Sequence, residues 1–240
     1  MKKVTLFFGF ILALLFLNSC DHESIRASGE VTSLEYSIPD YSRVKVSNAF
    51  NTYVTFSETE ESVRIEANDN IHNRIIVKRD GNSLIIRMKK LTHVRGNATL
   101  NAYITTKNVD EFDMEGASRL TLENMWNVEN GKIELSGASD FLGEVDANRL
   151  IIDLNGASTA NIYGHVGSLH ADLSGSSDLR DYDLEVERLN IDMSGASDAY
   201  LSISETIDID ASGASELNFK GAAAITHKKL SGASEINNRN

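Results

Sequence analysis

A three-residue motif occurs seven times from residue 116 onward at a nearly constant spacing. Six copies are Gly-Ala-Ser and one is Gly-Ser-Ser, and successive glycines lie 21, 19, 19, 20, 18 and 19 residues apart. The glycines are Gly116, Gly137, Gly156, Gly175, Gly195, Gly213 and Gly232. A near-fixed period of this length predicts stacked units, each too small to bury its apolar side chains alone.

Apolar and polar residues alternate on both sides of each glycine. The second residue before the glycine and the fourth residue after it are apolar in every copy, as Leu154 and Ala160 are around Gly156. Alternation with a period of two is typical of strands that bury one face. The consensus of leucine-rich repeats, which have a similar period, is absent. The sequence therefore predicts an all-β fold, a parallel β-helix (a single-chain β-solenoid) with one coil per repeat.

The triplet has the composition of a sharp corner. Glycine adopts positive φ without a Cβ clash, and the serine hydroxyl can bond along the stack or to the backbone of the turn. Residues 44–50 fit the same frame with Asn48 in place of glycine, and asparagine also tolerates positive φ. We therefore expect residues 34–111 to be a less regular β region of the coil and residues 112–236 to be its regular part.

Three local features refine this prediction. Asp80-Gly81-Asn82 separates two apolar runs, which predicts a hairpin with a tight turn. Trp126, the only tryptophan, is either a core residue of a wider coil or an exposed contact residue, and burial is the better prediction. The closing residues 237–240 are predicted to form a polar tail that limits edge-to-edge growth of the solenoid.

The N-terminal segment carries the signals of export. An apolar run at residues 4–17 has the length of a signal peptide core and is too short to span a bilayer comfortably. Leu17-Asn18-Ser19-Cys20 resembles a bacterial lipobox, which implies lipidation of Cys20, the only cysteine; the alternative is an ordinary signal peptide. We predict a lipoprotein signal peptide at residues 1–19, a flexible tether at residues 20–33, and attachment to the membrane through the lipid.

The formal net charge of −12 disfavours nucleic acid and anionic lipid headgroups as partners. Acids recur three residues before the glycines, and stacked carboxylates about 5 Å apart repel by about 1 kcal/mol per pair in water. The candidate metal ligands in this column are Asp153, Asp172, Asp192 and Asp210. Calcium would neutralise them, but the calcium-coil pattern Gly-Gly-x-Gly-x-Asp is absent, so a solvated acidic surface is favoured. We predict no metal and no cofactor.

The same acids could serve a polysaccharide-active enzyme on a β-helix. Such an enzyme needs two or three acids in distinct environments within one groove, whereas these acids recur in nearly every repeat. The seven serines are equivalent, and there is no Gly-x-Ser-x-Gly nucleophile elbow. The sequence therefore favours a protein that is not an enzyme.

The lipobox, the alternating N-terminal region and the train of Gly-Ala-Ser corners resemble the family of putative autotransporter adhesin heads, the GIN domain, common among exported proteins of Bacteroidetes. The resemblance implies a right-handed β-helix without catalytic residues and a role in adhesion at the cell surface. We expect a lipoprotein of the outer membrane or cell surface that binds a glycan or a protein. A periplasm-facing scaffold or stress sensor is the alternative, and a homo-oligomer stays open although no coiled-coil heptads are present.

Overall fold

The computed structural model describes residues 23–240, so the predicted signal peptide and Cys20 lie outside the described residues. The described chain consists of strands and one short 3₁₀ helix at Asp69–Arg74. The strands are β1 (Glu23–Arg26), β2 (Val31–Tyr36), β3 (Arg43–Ser47), β4 (Asn51–Phe56), β5 (Ser62–Asn68), β6 (Ile75–Asp80), β7 (Ser83–Met88), β8 (Thr92–Arg95), β9 (Leu100–Thr106), β10 (Glu111–Glu115), β11 (Arg119–Leu122), β12 (Trp126–Leu135), β13 (Asp140–Leu154), β14 (Thr159–Leu173), β15 (Asp178–Arg180), β16 (Leu184–Met193), β17 (Asp198–Ala211), β18 (Glu216–Lys220), β19 (Ala224–Leu230) and β20 (Glu235–Asn238).

Strands β10 to β20 stack in parallel, and each repeat lies one coil further along the stack. β13 pairs with β14 from Asp140 opposite Thr159 to Leu154 opposite Leu173, an offset of 19 residues that matches the spacing of the repeat. Buried and exposed side chains alternate along both strands. The predicted all-β solenoid is therefore confirmed, with a strand before each corner and a strand after it in every coil.

An earlier coil continues this stack toward the N-terminus. β3 pairs with β10 and β4 pairs with β11, both in parallel, so that Val44 lies opposite Phe112. Asn48 takes the position of the corner glycine with a φ of 73°, and its side-chain Oδ1 accepts a hydrogen bond of 3.1 Å from the Met88 amide. The expectation that residues 44–50 share the frame of the repeats is confirmed.

The first half of the chain closes the N-terminal end of the solenoid. β7 and β9 form a coil beside β3 and β4, and beyond it the pairing turns antiparallel, β6 on β7, β5 on β9 and β2 on β5. The 3₁₀ helix joins β5 to β6, and its Ile71 is fully buried. β6 and β7 form the predicted hairpin, with Gly81 at a φ of +61°. Antiparallel strands end the parallel stack. We call this end the cap; it consists of β2, β5, the 3₁₀ helix and β6, together with β7 and β9, on which β6 and β5 pair.

The structure differs from the predicted flexible tether at residues 20–33. β1 begins at residue 23 and pairs in parallel with β8, and β2 pairs antiparallel with β5. The Ala27 amide donates a hydrogen bond of 3.0 Å to the carbonyl of Arg95. The polar composition of this segment suggested a linker, but its partners lie far away in the sequence and satisfy its backbone groups.

The structure also differs from the predicted separate tail at residues 237–240. Asn237 and Asn238 belong to β20, which pairs in parallel with β18. The Arg239 amide then donates a hydrogen bond of 2.7 Å to the carbonyl of Phe219. These residues therefore continue the last described coil, because backbone pairing along the stack overrides the polar side chains.

One continuous apolar core runs through the coils. Within it, Trp126 is 1% exposed, and its ring meets that of Phe112 edge-on with centroids 4.9 Å apart. The ring of Phe141 lies 5.7 Å from that of Phe112, in the next coil. The prediction that Trp126 is buried is confirmed.

Candidate functional site

The Gly-Ala-Ser corners form a ladder of close backbone contacts. The φ of the corner glycines lies between 74° and 84°. A Cβ added to Gly156 would lie 2.5 Å from the carbonyl oxygen of Gly137, the corner glycine of the previous coil. That same oxygen accepts a hydrogen bond of 2.7 Å from the Ala157 amide. Only glycine lets consecutive coils approach this closely at the corner.

The hydroxyls of the corner serines form hydrogen bonds within the turn that they close. From Ser118 to Ser215 they are at most 1% exposed. Ser139 Oγ donates a hydrogen bond of 2.9 Å to the carbonyl of Ser136, and the same contact recurs in other coils. A buried hydroxyl that donates to the backbone is a structural element of the corner and presents no nucleophile to solvent.

The predicted acidic column exists as a continuous ladder beside the corners. Asp153 lies opposite Asp172, Asp172 opposite Asp192, and Asp192 opposite Asp210. Asp172, Asp192 and Asp210 line a depression of about 340 Å³ together with serines from the residues that precede the corner glycines.

Basic side chains contact the first and the last of these four aspartates. Lys132 Nζ lies 3.1 Å from Asp153, and at the other end His227 Nε2 lies 3.1 Å from Asp210. The hydrogen bond from His227 lowers the pKa of Asp210. In the middle, burial and the charges of Asp172 and Asp210 raise the pKa of Asp192. No group of three or more His, Cys, Asp or Glu residues within residues 23–240 is arranged to hold a metal ion, so the calcium hypothesis gains no support.

Replacing Asp192 with asparagine is expected to raise the melting temperature by about 1–3 °C at pH 7, because the neutral side chain removes the desolvation cost of a partly buried carboxylate and the repulsion from its neighbours. A pKa raised in the folded state means that the charged carboxylate opposes folding above that pKa. The penalty disappears as the pH falls, so the gain should vanish near pH 3, where the carboxyl is protonated in both states.

The matched control is Asp153→Asn, which changes the same column but removes the ion pair with Lys132. It should leave the melting temperature unchanged or lower it. Circular-dichroism melts of both variants at the two pH values test this. An equal rise in both variants would show that repulsion is spread evenly along the column.

A second surface lies after the corners and is rich in aromatic residues, with Tyr182 in the turn that follows β15 and the other members on strands. Leu142 and Tyr163 are 41% and 39% exposed, and Tyr182 and Tyr200 are half-buried. The rings of Tyr182 and Tyr200 meet edge-to-face with centroids 5.8 Å apart. These four residues, which we call the tyrosine patch, come from consecutive coils and span about 14 Å along the stack.

Polar groups that donate and accept hydrogen bonds flank the tyrosine patch. Asn161 and Arg180 lie side by side in register, and both are exposed. Lys220 Nζ lies 4.4 Å from the centroid of the Tyr182 ring, a cation–π contact. Burial, followed by the charges of Asp198 and neighbouring acids, raises the pKa of Tyr200, which keeps its hydroxyl protonated as a hydrogen-bond donor. The patch therefore combines aromatic surface with groups that bind hydroxyls.

The tyrosine patch differs from a second aromatic group nearer the cap. There the rings of Tyr53 and Tyr103 stack 5.2 Å apart, and the guanidinium of Arg64 covers Tyr103 at 3.9 Å. The Tyr103 hydroxyl donates a hydrogen bond of 3.1 Å to Glu66. Because these aromatic and polar groups already satisfy one another, this cluster is a structural part of the sheet.

Residues 40–223 match the family described as "Putative auto-transporter adhesin, head GIN domain". The match covers the coils of β3 and β4 and of β7 and β9, all but the last of the corner glycines, and the tyrosine patch. The chain belongs to this family.

Several solved structures have the same fold as this GIN domain. A putative adhesin from Bacteroides fragilis has a TM-score of 0.82 at 21% identity, covering 89% of this chain and 99% of its own. A putative adhesin from Parabacteroides distasonis has a TM-score of 0.74 at 16% identity, with coverages of 90% and 100%. A putative lipid binding protein from the same species has a TM-score of 0.74 at 16% identity, with coverages of 91% and 100%. No curated protein sequence matches the chain.

The GIN domain has no helix within its described residues that is long and apolar enough to cross a membrane.

The tyrosine patch was not predicted from the sequence, where the glycines, acids and serines gave the clearest repeats. The signal was nonetheless present, since Tyr163 and Tyr182 each lie seven residues after a corner glycine, and Leu142 and Tyr200 each lie five residues after one. Residues in the same phase of a solenoid repeat share one face, so these positions align once the corners are stacked.

Proposed function

We propose that this protein is a non-catalytic adhesin, lipid-anchored through Cys20, that binds an uncharged glycan at the cell surface through the tyrosine patch. The observation that carries the proposal is a partly exposed aromatic band on the regular part of a domain from an adhesin family. Extended sides of solenoids commonly serve as binding surfaces.

The chemistry of the patch favours a glycan. Tyrosine rings present rigid apolar area to the C–H faces of sugar rings at little cost in side-chain entropy. Asn161, Arg180 and Lys220 offer hydrogen-bond donors beside the rings. The acidic net charge of the chain and the carboxylates near the rings disfavour a polyanionic ligand, which is why the proposed glycan is uncharged.

The absence of catalysis is supported by the repetition of the polar groups. Corner serines donate to backbone carbonyls, and the acids at the two ends of the column are paired with basic side chains. Hydrolysis of a glycosidic bond needs two carboxyls held in contrasting environments beside one bound sugar. The tyrosine patch offers a surface for binding, and the family supports an adhesive role.

The test uses intact diderm bacteria that express the full chain and an array of fluorescent uncharged oligosaccharides. Cells with the unmodified chain should bind at least one glycan, and the Tyr163→Ala/Tyr200→Ala variant should bind about tenfold less tightly, because each ring contributes stacking area. Tyr53→Ala/Tyr103→Ala is the matched control, with two rings removed from the same type of face. It should keep binding, provided circular dichroism shows that it is folded.

Two further arms of this experiment address location. Protease added to intact cells should release the domain, and Cys20→Ala should abolish incorporation of labelled palmitate. A domain that resists protease on intact cells but not on lysed cells would refute the surface location and favour the periplasm-facing scaffold. Equal glycan binding by both tyrosine variants would refute the patch as the site.

A further inference from the structure

One segment at the cap, between residues 70 and 95, is basic, whereas the chain as a whole is acidic. Between residues 70 and 95 there are seven basic residues and a single acid, Asp80, whereas the whole chain has 23 Lys and Arg against 35 Asp and Glu. The basic residues are Arg74, Lys78, Arg79, Arg87, Lys89, Lys90 and Arg95. This local concentration of basic residues is hidden in the net charge of the whole chain.

The turn between β7 and β8 combines basic and apolar exposure. Lys89 and Lys90 are exposed, and Leu91 is 54% exposed, the largest value among the exposed large hydrophobic residues of the described chain. Leu91 has a φ of 63°, and the Thr92 amide closes the turn on the Lys89 carbonyl at 3.3 Å. We call residues 89–91 the basic turn. An exposed leucine next to two lysines is typical of segments that enter the headgroup region of a bilayer.

The N-terminal end of the described chain emerges beside the basic turn. β1 runs parallel to β8, so that Glu23 lies opposite Thr92, the residue that follows Leu91. At the other end of these strands Arg26 lies opposite Arg95, which adds two exposed cations to the same small sheet. Cys20 precedes Glu23 by three residues, which limits their separation to about 11 Å in any conformation. A lipid on Cys20 would therefore insert close to the basic turn.

We infer that the basic turn and the strands β1 and β8 form a membrane-docking surface that binds the anionic headgroups of a phospholipid bilayer. The choice of a bilayer rests on the proposed anchor at Cys20, whereas the surface itself is defined by charge and exposure. Basic side chains near a lipid anchor strengthen the attachment and orient the domain. This proposal differs from the expectation that the net charge of the whole chain disfavours anionic headgroups, because the basic residues are concentrated on one surface.

Docking through this surface places the tyrosine patch away from the membrane. The basic turn belongs to the coil of β7 and β9, and Tyr163, Tyr182 and Tyr200 lie four to six coils further along the stack. At one strand spacing per coil, this is about 20–30 Å along the axis. One acid, Glu23, begins β1 opposite Thr92, whereas Glu30 and Asp69 lie beyond the carboxyl end of β1, where β2 meets β5.

The test uses the chain from residue 21 to residue 240, which lacks the lipid and keeps the whole described core, since its buried apolar residues run from Tyr41 to Phe219. Sedimentation with vesicles at about 50 mM salt measures binding to phosphatidylcholine alone and to mixtures with phosphatidylglycerol. We expect binding only to the anionic vesicles, and an affinity about 30-fold lower for Lys89→Gln/Lys90→Gln, the effect of two lysines at a membrane surface.

The matched control is Lys228→Gln/Lys229→Gln, which makes the same change of charge on β19 at the opposite end of the solenoid. It should bind like the unmodified chain. Residues 21–240 contain no cysteine, so a fluorophore can be placed at a single introduced site. A fluorophore on Leu91→Cys should shift its emission to the blue on anionic vesicles, whereas one on Ile225→Cys should not. Equal losses in the two lysine variants, equal binding to both kinds of vesicle, or no binding at all would overturn the inference. None of these outcomes bears on glycan binding or on lipidation of Cys20.

Discussion

Replacing Gly156 with alanine is expected to destabilise the domain by at least about 3 kcal/mol and to lower its melting temperature by about 6–12 °C. Two costs add at this corner. A φ of +82° costs an L-residue about 1–2 kcal/mol, and the new Cβ would lie 2.5 Å from the carbonyl oxygen of Gly137. The clash is with backbone, so relief requires the two coils to separate and their hydrogen bonds to lengthen.

The control that separates these two costs is Gly81→Ala in the hairpin of the cap. Gly81 also has a positive φ, +61°, but a Cβ there would meet nothing within 4 Å. This variant should lose only about 1–2 kcal/mol, the cost of the backbone conformation. Urea unfolding of both variants, followed by circular dichroism, measures the difference. If the two losses are equal, close stacking of the corners does not determine stability.

Replacing Trp126 with alanine is expected to cost about 3–5 kcal/mol in the free energy of unfolding. The ring is fully enclosed, contacts Phe112, and donates a hydrogen bond of 2.8 Å from Nε1 to the Val109 carbonyl. Alanine would leave a large cavity in the core. It would also leave a buried carbonyl without its donor, and both effects act in the same direction.

Two further variants test this assignment. Trp126→Phe keeps much of the packing and loses the hydrogen bond, so its loss should be smaller, about 1–3 kcal/mol. Met125→Ala changes the adjacent residue, which is 44% exposed, and should change stability by less than about 1 kcal/mol. Comparable losses for Met125→Ala and Trp126→Ala in urea unfolding would contradict the central position of the tryptophan.

The coil itself follows from the sequence, because its determinants are local and repeated. Alternation sets which face of each strand is buried, and the Gly-Ala-Ser triplet sets where the chain bends. Asn48 shows that the pattern of the repeat is recognisable even without glycine, since Asn48 adopts the positive φ of the corner and its side chain accepts a backbone hydrogen bond there. Seven repetitions of the same local signal leave few other ways to bury the apolar columns.

The cap and the surfaces depended on tertiary structure, because their partners are distant in the sequence. β1 pairs with β8 about 70 residues later in the chain, and no local pattern in residues 23–33 predicts this pairing. The acids at the ends of the column obtain their partners from strand register, as in the pair of Lys132 and Asp153. Periodicity in this sequence determined the solenoid, whereas long-range strand pairing decided how it is closed, which charges are neutralised, and which tyrosines and lysines share a face.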